Sequence, residues 1–262
     1  MDARPAGRPH GEIEPRQAGL PEHRGPDAKK NEIKPWLKEE WCIPPEQNAE
    51  FVWRMEDVLD VYQRACDAKR PLLCMDEKPV QLLADLREPL PPRPGRLARR
   101  DYEYKREGTS NVFVAFEPLA NWRRFQVTPQ RTRKDFAAFL TELLENRYRE
   151  AERIVLVMDN LNTHSPASLY ELLPAAQAKR LADRLEIHYT PKHGSWLNMA
   201  EIEFSVVGKR LPDRVPDINC LATHCAAIER ERNRIGASVN WQFTTTDARI
   251  KLRRLYPSIE VG

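Results

Sequence analysis

Apolar residues recur along this chain with two periods, and the alternation between them lays out the elements. From Asn48 the segment AEFVWRMEDVLDVYQRA sets Phe51, Met55, Val58, Leu59 and Tyr62 at helical spacing, which predicts an amphipathic helix leading into a first strand. That strand, PLLCMDE, is a short apolar run that stops in acid, as buried strands do when they deliver a polar side chain to a sheet edge. NVFVAFEP and WRRFQVTP, rich in Val and Phe, read as two strands of a hairpin turning near Leu119 to Asn121. Thr132 to Arg149 restores the helical period, with Phe136, Phe139, Leu140, Leu143 and Leu144 on one face. RIVLVMDN is a second strand of the kind that ends in acid. Helical segments around Ser168 to Leu185, broken near Pro174, separate it from a short strand, EIHYTP. A helix carrying LNMAEIEFSVV begins near Trp196, and the remainder through DARIKLRRLYP reads as helical with a glycine break and a basic end. The expected fold class is α/β: a mixed sheet with antiparallel first strands and parallel later ones, and helices on both faces.

Two stretches escape this periodicity. Residues 1–34 hold five Pro, four Gly and, among Val, Ile, Leu and the aromatics, only Ile13, Leu20 and Ile33. Such a segment buries too little apolar surface to offset its ordering entropy, so a disordered tail is expected, followed by a helical lead-in over 35–68 and the main domain over 69–262. Residues 87–106 are proline-rich and carry seven basic against three acidic side chains, which predicts a long basic loop.

Composition adjusts this picture only slightly. Forty-two Lys and Arg against 39 Asp and Glu leave a net charge of +3, a balance that neither requires nor excludes nucleic acid, because binding follows local distribution. The five cysteines form no CxxC pair, which argues against a disulfide framework and fits a reducing cytoplasm. Cys220, His224 and Cys225 lack the second pair of ligands that a zinc site needs. No apolar run reaches the roughly 18 residues of a membrane span, and the N-terminus lacks the apolar core of a secretion signal, so neither a membrane partner nor export is expected.

The candidate chemistry lies in three acids. Asp76 and Asp159 each close a strand of the same kind, and Glu201 sits on a helix after the next strand. If the two strands lie side by side, both aspartates emerge together and the helix adds the glutamate. Singly, each is an ordinary solvated acid. Together they form an all-oxygen site suited to Mg²⁺, which prefers few carboxylates, several waters and substrate phosphates.

MDEKPVQL, DYEYKREGTSNVFVAFEP, VLVMDNLNTHSPASLYE and HYTPKHGSWLNMAEIEFS resemble, in this order, the catalytic domain of bacterial insertion-sequence transposases related to the mariner group. The resemblance runs from about Lys29 to the C-terminus. It implies a ribonuclease-H-like fold and a DDE triad of Asp76, Asp159 and Glu201, ligands for Mg²⁺ or Mn²⁺. It also implies cleavage of DNA at transposon ends, strand transfer into target DNA, a homodimeric active complex and residence at the bacterial nucleoid. Relatives carry helix-turn-helix segments ahead of this domain, a place taken here by the proline-rich stretch. A nuclease of the same fold, and an inactive truncated remnant that binds DNA or dimerises, are the alternative readings.

Around the triad, Asn160, His164, His193 and Asn198 are the candidates to support the ligands, each with an ordinary structural role as its alternative. Glu77 and Glu203 are turned away from their catalytic neighbours, on a strand and a helix respectively, and read as supporting or structural. Trp196 reads as a helix anchor. Arg93, Arg96, Arg99, Arg100, Lys105 and Arg106, in the basic loop, are candidates to bind DNA phosphates, which the acids themselves would repel. The basic C-terminal residues Arg249, Lys251, Arg253 and Arg254 carry no assigned role.

Overall fold

In the computed structural model, residues 46–258 are described, apart from Asn162. The expected N-terminal tail lies outside the described residues. Five strands form one sheet: β1 (Leu72–Asp85), β2 (Tyr104–Glu117), β3 (Trp122–Thr128), β4 (Ile154–Met158) and β5 (Leu185–Tyr189), in the spatial order β3-β2-β1-β4-β5. The first three pair antiparallel, whereas β4 runs parallel to β1 and β5 parallel to β4. The mixed sheet expected from the sequence is therefore present.

Among the described residues seven α-helices cover it: α1 (Ala49–Tyr62), α2 (Arg133–Glu145), α3 (Ala167–Leu172), α4 (Ala175–Ala182), α5 (Ala200–Arg210), α6 (Ile218–Arg234) and α7 (Thr245–Lys251). Their starts follow local chemistry. The Asn48 side chain accepts from the Phe51 amide at 2.9 Å, the Asp217 side chain from the Cys220 amide at 2.8 Å, and Thr132 with Asp135 and Thr244 with Asp247 form reciprocal capping boxes.

Strand alternation divides the apolar side chains into two cores. Leu72 and Cys74 of β1, with Val112, Val114 and Phe116 of β2 and Val155 and Val157 of β4, face α1, α5, α6 and α7. Leu73 and Met75, with Phe113, Ala115, Leu156 and Met158, face α2, α3 and α4. The segment at 49–62 thus packs into the same core as the sheet.

Three expectations need correction. β1 does not stop at Asp76 but continues to Asp85, because β2 goes on pairing with it as far as Tyr104; what ends near Asp76 is the pairing with β4, whose last partner on β1 is Cys74. The basic loop is shorter and more ordered than expected. Lys105 and Arg106 belong to β2, and the segment before them is drawn into an arm by antiparallel bridges between Leu90 and Arg99 and between Arg93 and Arg96. Finally, Trp196 lies in a short 3-10 turn over Ser195–Leu197, and α5 begins only at Ala200. That turn is tight: a Cβ on Gly194 would stand 2.5 Å from Pro191 Cγ and 2.9 Å from its carbonyl oxygen.

Candidate active site

The parallel register of β1 and β4 builds the site. Cys74 pairs with Val157, so Asp76 and Asp159, each two residues further on, come level at the point where the two strands part. Period-two alternation gives Asp76 the face of Cys74, which is the face packed by α5. Glu201, in the first turn of α5, approaches from there.

Electrostatics report the convergence. Burial, then Glu201, then Asp159 push the Asp76 carboxyl up to about 8, opposed by the hydrogen bond from the Glu77 amide to its Oδ1 at 2.8 Å. Its three close acidic neighbours, Glu201, Asp159 and Glu77, come from three elements of the fold. Asn198 holds it in place: its Nδ2 donates to the Met75 carbonyl at 2.8 Å and reaches Asp76 Oδ2 at 3.5 Å, while its Oδ1 accepts from the Ala200 amide at 3.1 Å. One amide side chain thereby joins β1 to the start of α5. Tyr62 of α1 closes the same corner by donating to the Leu197 carbonyl at 2.7 Å.

Asp159 is held from the other side. His164, 2% exposed, contacts its Oδ1 through Nδ1, and its Nε2 stands 2.6 Å from Glu77 Oε2. The second contact is a close ion pair rather than an aligned hydrogen bond, since Glu77 Oε2 has no hydrogen-bond partner. Burial works against a charge on this imidazole, but Asp159 and Glu77 together outweigh it and raise the histidine to about 10.

The remaining candidates separate clearly. Asn160 is exposed, and His193, in the left-handed region at φ 63°, is exposed on the loop before α5; the hydrogen bonds and ion pairs of the three acids involve neither. Glu203 is fully buried and carries more than a passive role, because Arg232 binds it through two bonds of 2.9 and 3.0 Å and the buried Arg123 lies 3.3 Å away. Glu77 and Arg123 are the residues that sequence reading undervalued. Strand alternation correctly turned Glu77 away from Asp76, but it does not reveal the histidine waiting on that other face. Trp196 packs edge-on against Phe243 at 5.8 Å, as an anchor would. In the arm, Arg93, Arg96, Arg99 and Arg106 are exposed, whereas Arg100 bonds Asp85 at 2.9 Å and Lys105 pairs with Glu107 at 2.8 Å.

The groups whose charge reaches the buried Asp76 are the carboxylates of Glu201, Asp159 and Glu77, oxygen donors of the kind a hard divalent cation takes. Among the described residues no group of three or more His, Cys, Asp or Glu side chains is arranged to hold a metal ion. Among the described residues no helix is long and apolar enough to cross a membrane.

Among solved structures, the fold is similar to that of the Mos1 mariner paired end complex with Mn, at a TM-score of 0.50 and 16% identity over 79% of this chain and 64% of that one. The Mos1 strand transfer complex gives a TM-score of 0.49 at 15% identity, over 80% of this chain and 64% of that one. The chain thus spans less than two thirds of those proteins, and no curated protein matches its sequence. The likeness supports a ribonuclease-H-like fold, in keeping with the strand order and the flanking helices. The family model for DDE superfamily endonucleases matches residues 71–221. That span is more than half of the sequence and contains Asp76, Asp159 and Glu201, and the chain belongs to the DDE superfamily endonuclease family.

Proposed function

We propose that this chain is the catalytic domain of a DNA transposase. It cuts phosphodiesters at the ends of a mobile element and joins the freed 3′-hydroxyl to target DNA. The observation that carries the reading is the register that brings Asp76 and Asp159 level where β1 and β4 part, with Glu201 in the first turn of α5 packed on the same face, so that burial, then Glu201, then Asp159 raise the Asp76 carboxyl. Such a cluster is unfavourable alone and becomes favourable when a divalent ion and a phosphate complete it.

Asp76, Asp159 and Glu201 would hold Mg²⁺ or Mn²⁺, which when bound supplies Lewis acidity and neutralises charge building on the phosphate. The chain's own residues do the rest. Asn198 fixes the Asp76 carboxylate against α5, and His164 restrains Asp159. Arg93, Arg96 and Arg99 on the arm offer charge to phosphates that the acids would repel, contacts that position DNA without reading its sequence. Two protomers acting on paired ends, at the nucleoid of a bacterial cell, complete the proposed assembly.

The test is cleavage and joining of a duplex carrying the element's ends, with Mg²⁺. Asp76→Asn, Asp159→Asn and Glu201→Gln, each nearly isosteric, are expected to lower both reactions by at least about 100-fold while leaving circular dichroism unchanged. Near-parent cleavage by any one variant removes that residue from the triad. Cleavage without joining makes the chain a nuclease, and no reaction by the parent with any divalent ion favours a DNA-binding remnant.

A further inference from the structure

We propose that His164 and Glu77 form a buried clamp that positions Asp159, holding one of its carboxylate oxygens so that the other is presented to the space shared with Asp76. The proposal rests on the reading of Asp159 as a metal ligand. Asp159 follows the last residue of β4, and its side chain is 33% exposed, so the strand alone does not set its rotation. His164 Nδ1 occupies Oδ1. The ring cannot easily turn away. Phe136 of α2 lies against it with ring centroids 4.9 Å apart, and its backbone is fastened on both sides. The His164 amide donates to the Leu161 carbonyl at 2.9 Å, and the Tyr189 hydroxyl of β5 donates to the His164 carbonyl at 3.0 Å. The Ser168 hydroxyl donates to the Thr163 carbonyl at 2.9 Å, which secures the preceding residue as well.

Glu77 explains why both nitrogens are engaged. A carboxylate oxygen stands at each ring nitrogen, so the ring is bracketed between two elements and its orientation is fixed. Glu77 Oε2 lies 2.6 Å from Nε2, its side chain 2% exposed, and Arg131 approaches its other oxygen only at 3.7 Å. Two successive residues of β1 therefore serve one site by different routes. Asp76 enters from the α5 face. Glu77 acts from the opposite face, through His164, on Asp159. Groups that orient a ligand in this way matter to metal affinity by about 10–100-fold.

The experiment is Mn²⁺ binding by the full chain, followed by calorimetry and by the loss of free-ion electron paramagnetic resonance signal, which requires no turnover. His164→Ala is expected to weaken binding by about 10–100-fold, and Glu77→Gln, which keeps the volume, by a few-fold. His164→Asn, whose amide can still donate to Asp159, should recover most of the loss. A purely structural role would show no such recovery, so Asn behaving like Ala overturns the proposal. If His164→Ala fails to fold, Glu77→Gln decides: parent affinity in that variant overturns it. Parent affinity in the His164 and Glu77 variants, with binding lost in Asp159→Asn, sinks the clamp and leaves the reading of Asp159 intact. A parent that binds no Mn²⁺, or Asp159→Asn binding as the parent does, sinks that reading itself.

Discussion

Burial, with Glu201 and Asp159 nearby, raises the Asp76 carboxyl in the folded chain, so the folded state should hold its proton to a higher pH than the unfolded chain. With the folded carboxyl at about 8 and the ordinary value at 3.8, the folded state binds more protons throughout that interval. The Asp76 contribution to metal-free stability should therefore fall as pH rises from about 4 to about 8 and level off above, the reverse of an acid stabilised by a salt bridge. His164 adds a decline of the same sign between its ordinary 6.5 and about 10, so the Asp76 contribution has to be read by difference. Asp76→Asn is expected to flatten the lower part of the profile and to raise metal-free stability at pH 8 by on the order of 2 kcal/mol, measured by urea unfolding. Mn²⁺ should stabilise the parent but not the variant. An equally steep profile in the variant would show that Asp76 is not the strained group.

At the scale of elements, α5 carries the site's glutamate on one side and its own anchor on another. Glu201 and Glu203 are two residues apart, about 200° around the helix, so one reaches the sheet edge while the other turns inward. There Glu203 meets Arg232 of α6 and Arg123 of β3, and Arg123 also donates to the Asn121 carbonyl at 3.1 Å and lies 5.2 Å over the Phe116 ring. The triad links three elements and sets the roll of α5. Removing only the carboxylate leaves two guanidinium groups facing each other in the interior. Glu203→Ala should cost about 3–5 kcal/mol in urea unfolding, whereas Arg232→Met, which keeps the Arg123–Glu203 pair, should cost less. A loss below about 1 kcal/mol for Glu203→Ala would mean that packing alone seats the helix.

Over the whole molecule, the site opens where β1 and β4 part, and the arm leaves from the other end of β1. Arm side chains stand far into solvent, with Leu97 89% and Tyr102 85% exposed. Arg100 and Arg214 fasten its base to Asp85, at 2.9 and 2.5 Å. Within the arm the cations free to meet phosphate are consequently Arg93, Arg96 and Arg99; Arg100 belongs to the fastening, and the exposed Arg106 lies beyond the arm on β2. Substituting those three with Ala should leave the fold unchanged and reduce the slope of log affinity for DNA against log salt by roughly 0.9 for each phosphate that is no longer neutralised. Filter binding at several salt concentrations measures this, and an unchanged slope would show the arm's charge to be solvated surface.

Periodicity alone placed most helices and strands, because one-sided burial writes itself into the sequence at a spacing of 2 or 3.6 residues. The three acids stood out only together: singly each reads as an ordinary solvated acid, and it was two apolar strands of the same kind, each followed by an aspartate, that drew attention to them. Their roles as a triad came from the resemblance of whole motifs, not from spacing. What the chain's one-dimensional pattern left open was everything set by lateral partners. The length of β1 depends on β2 continuing beside it, and the order of the arm depends on two cross-bridges. Of four proposed supporting residues, Asn198 and His164 reach the acids, while Asn160 and His193 face solvent. Glu77 and Glu203 both look like surplus acids in sequence. One became a partner of His164 and the other the centre of an arginine triad, because a buried charge takes its meaning from groups that only folding brings near.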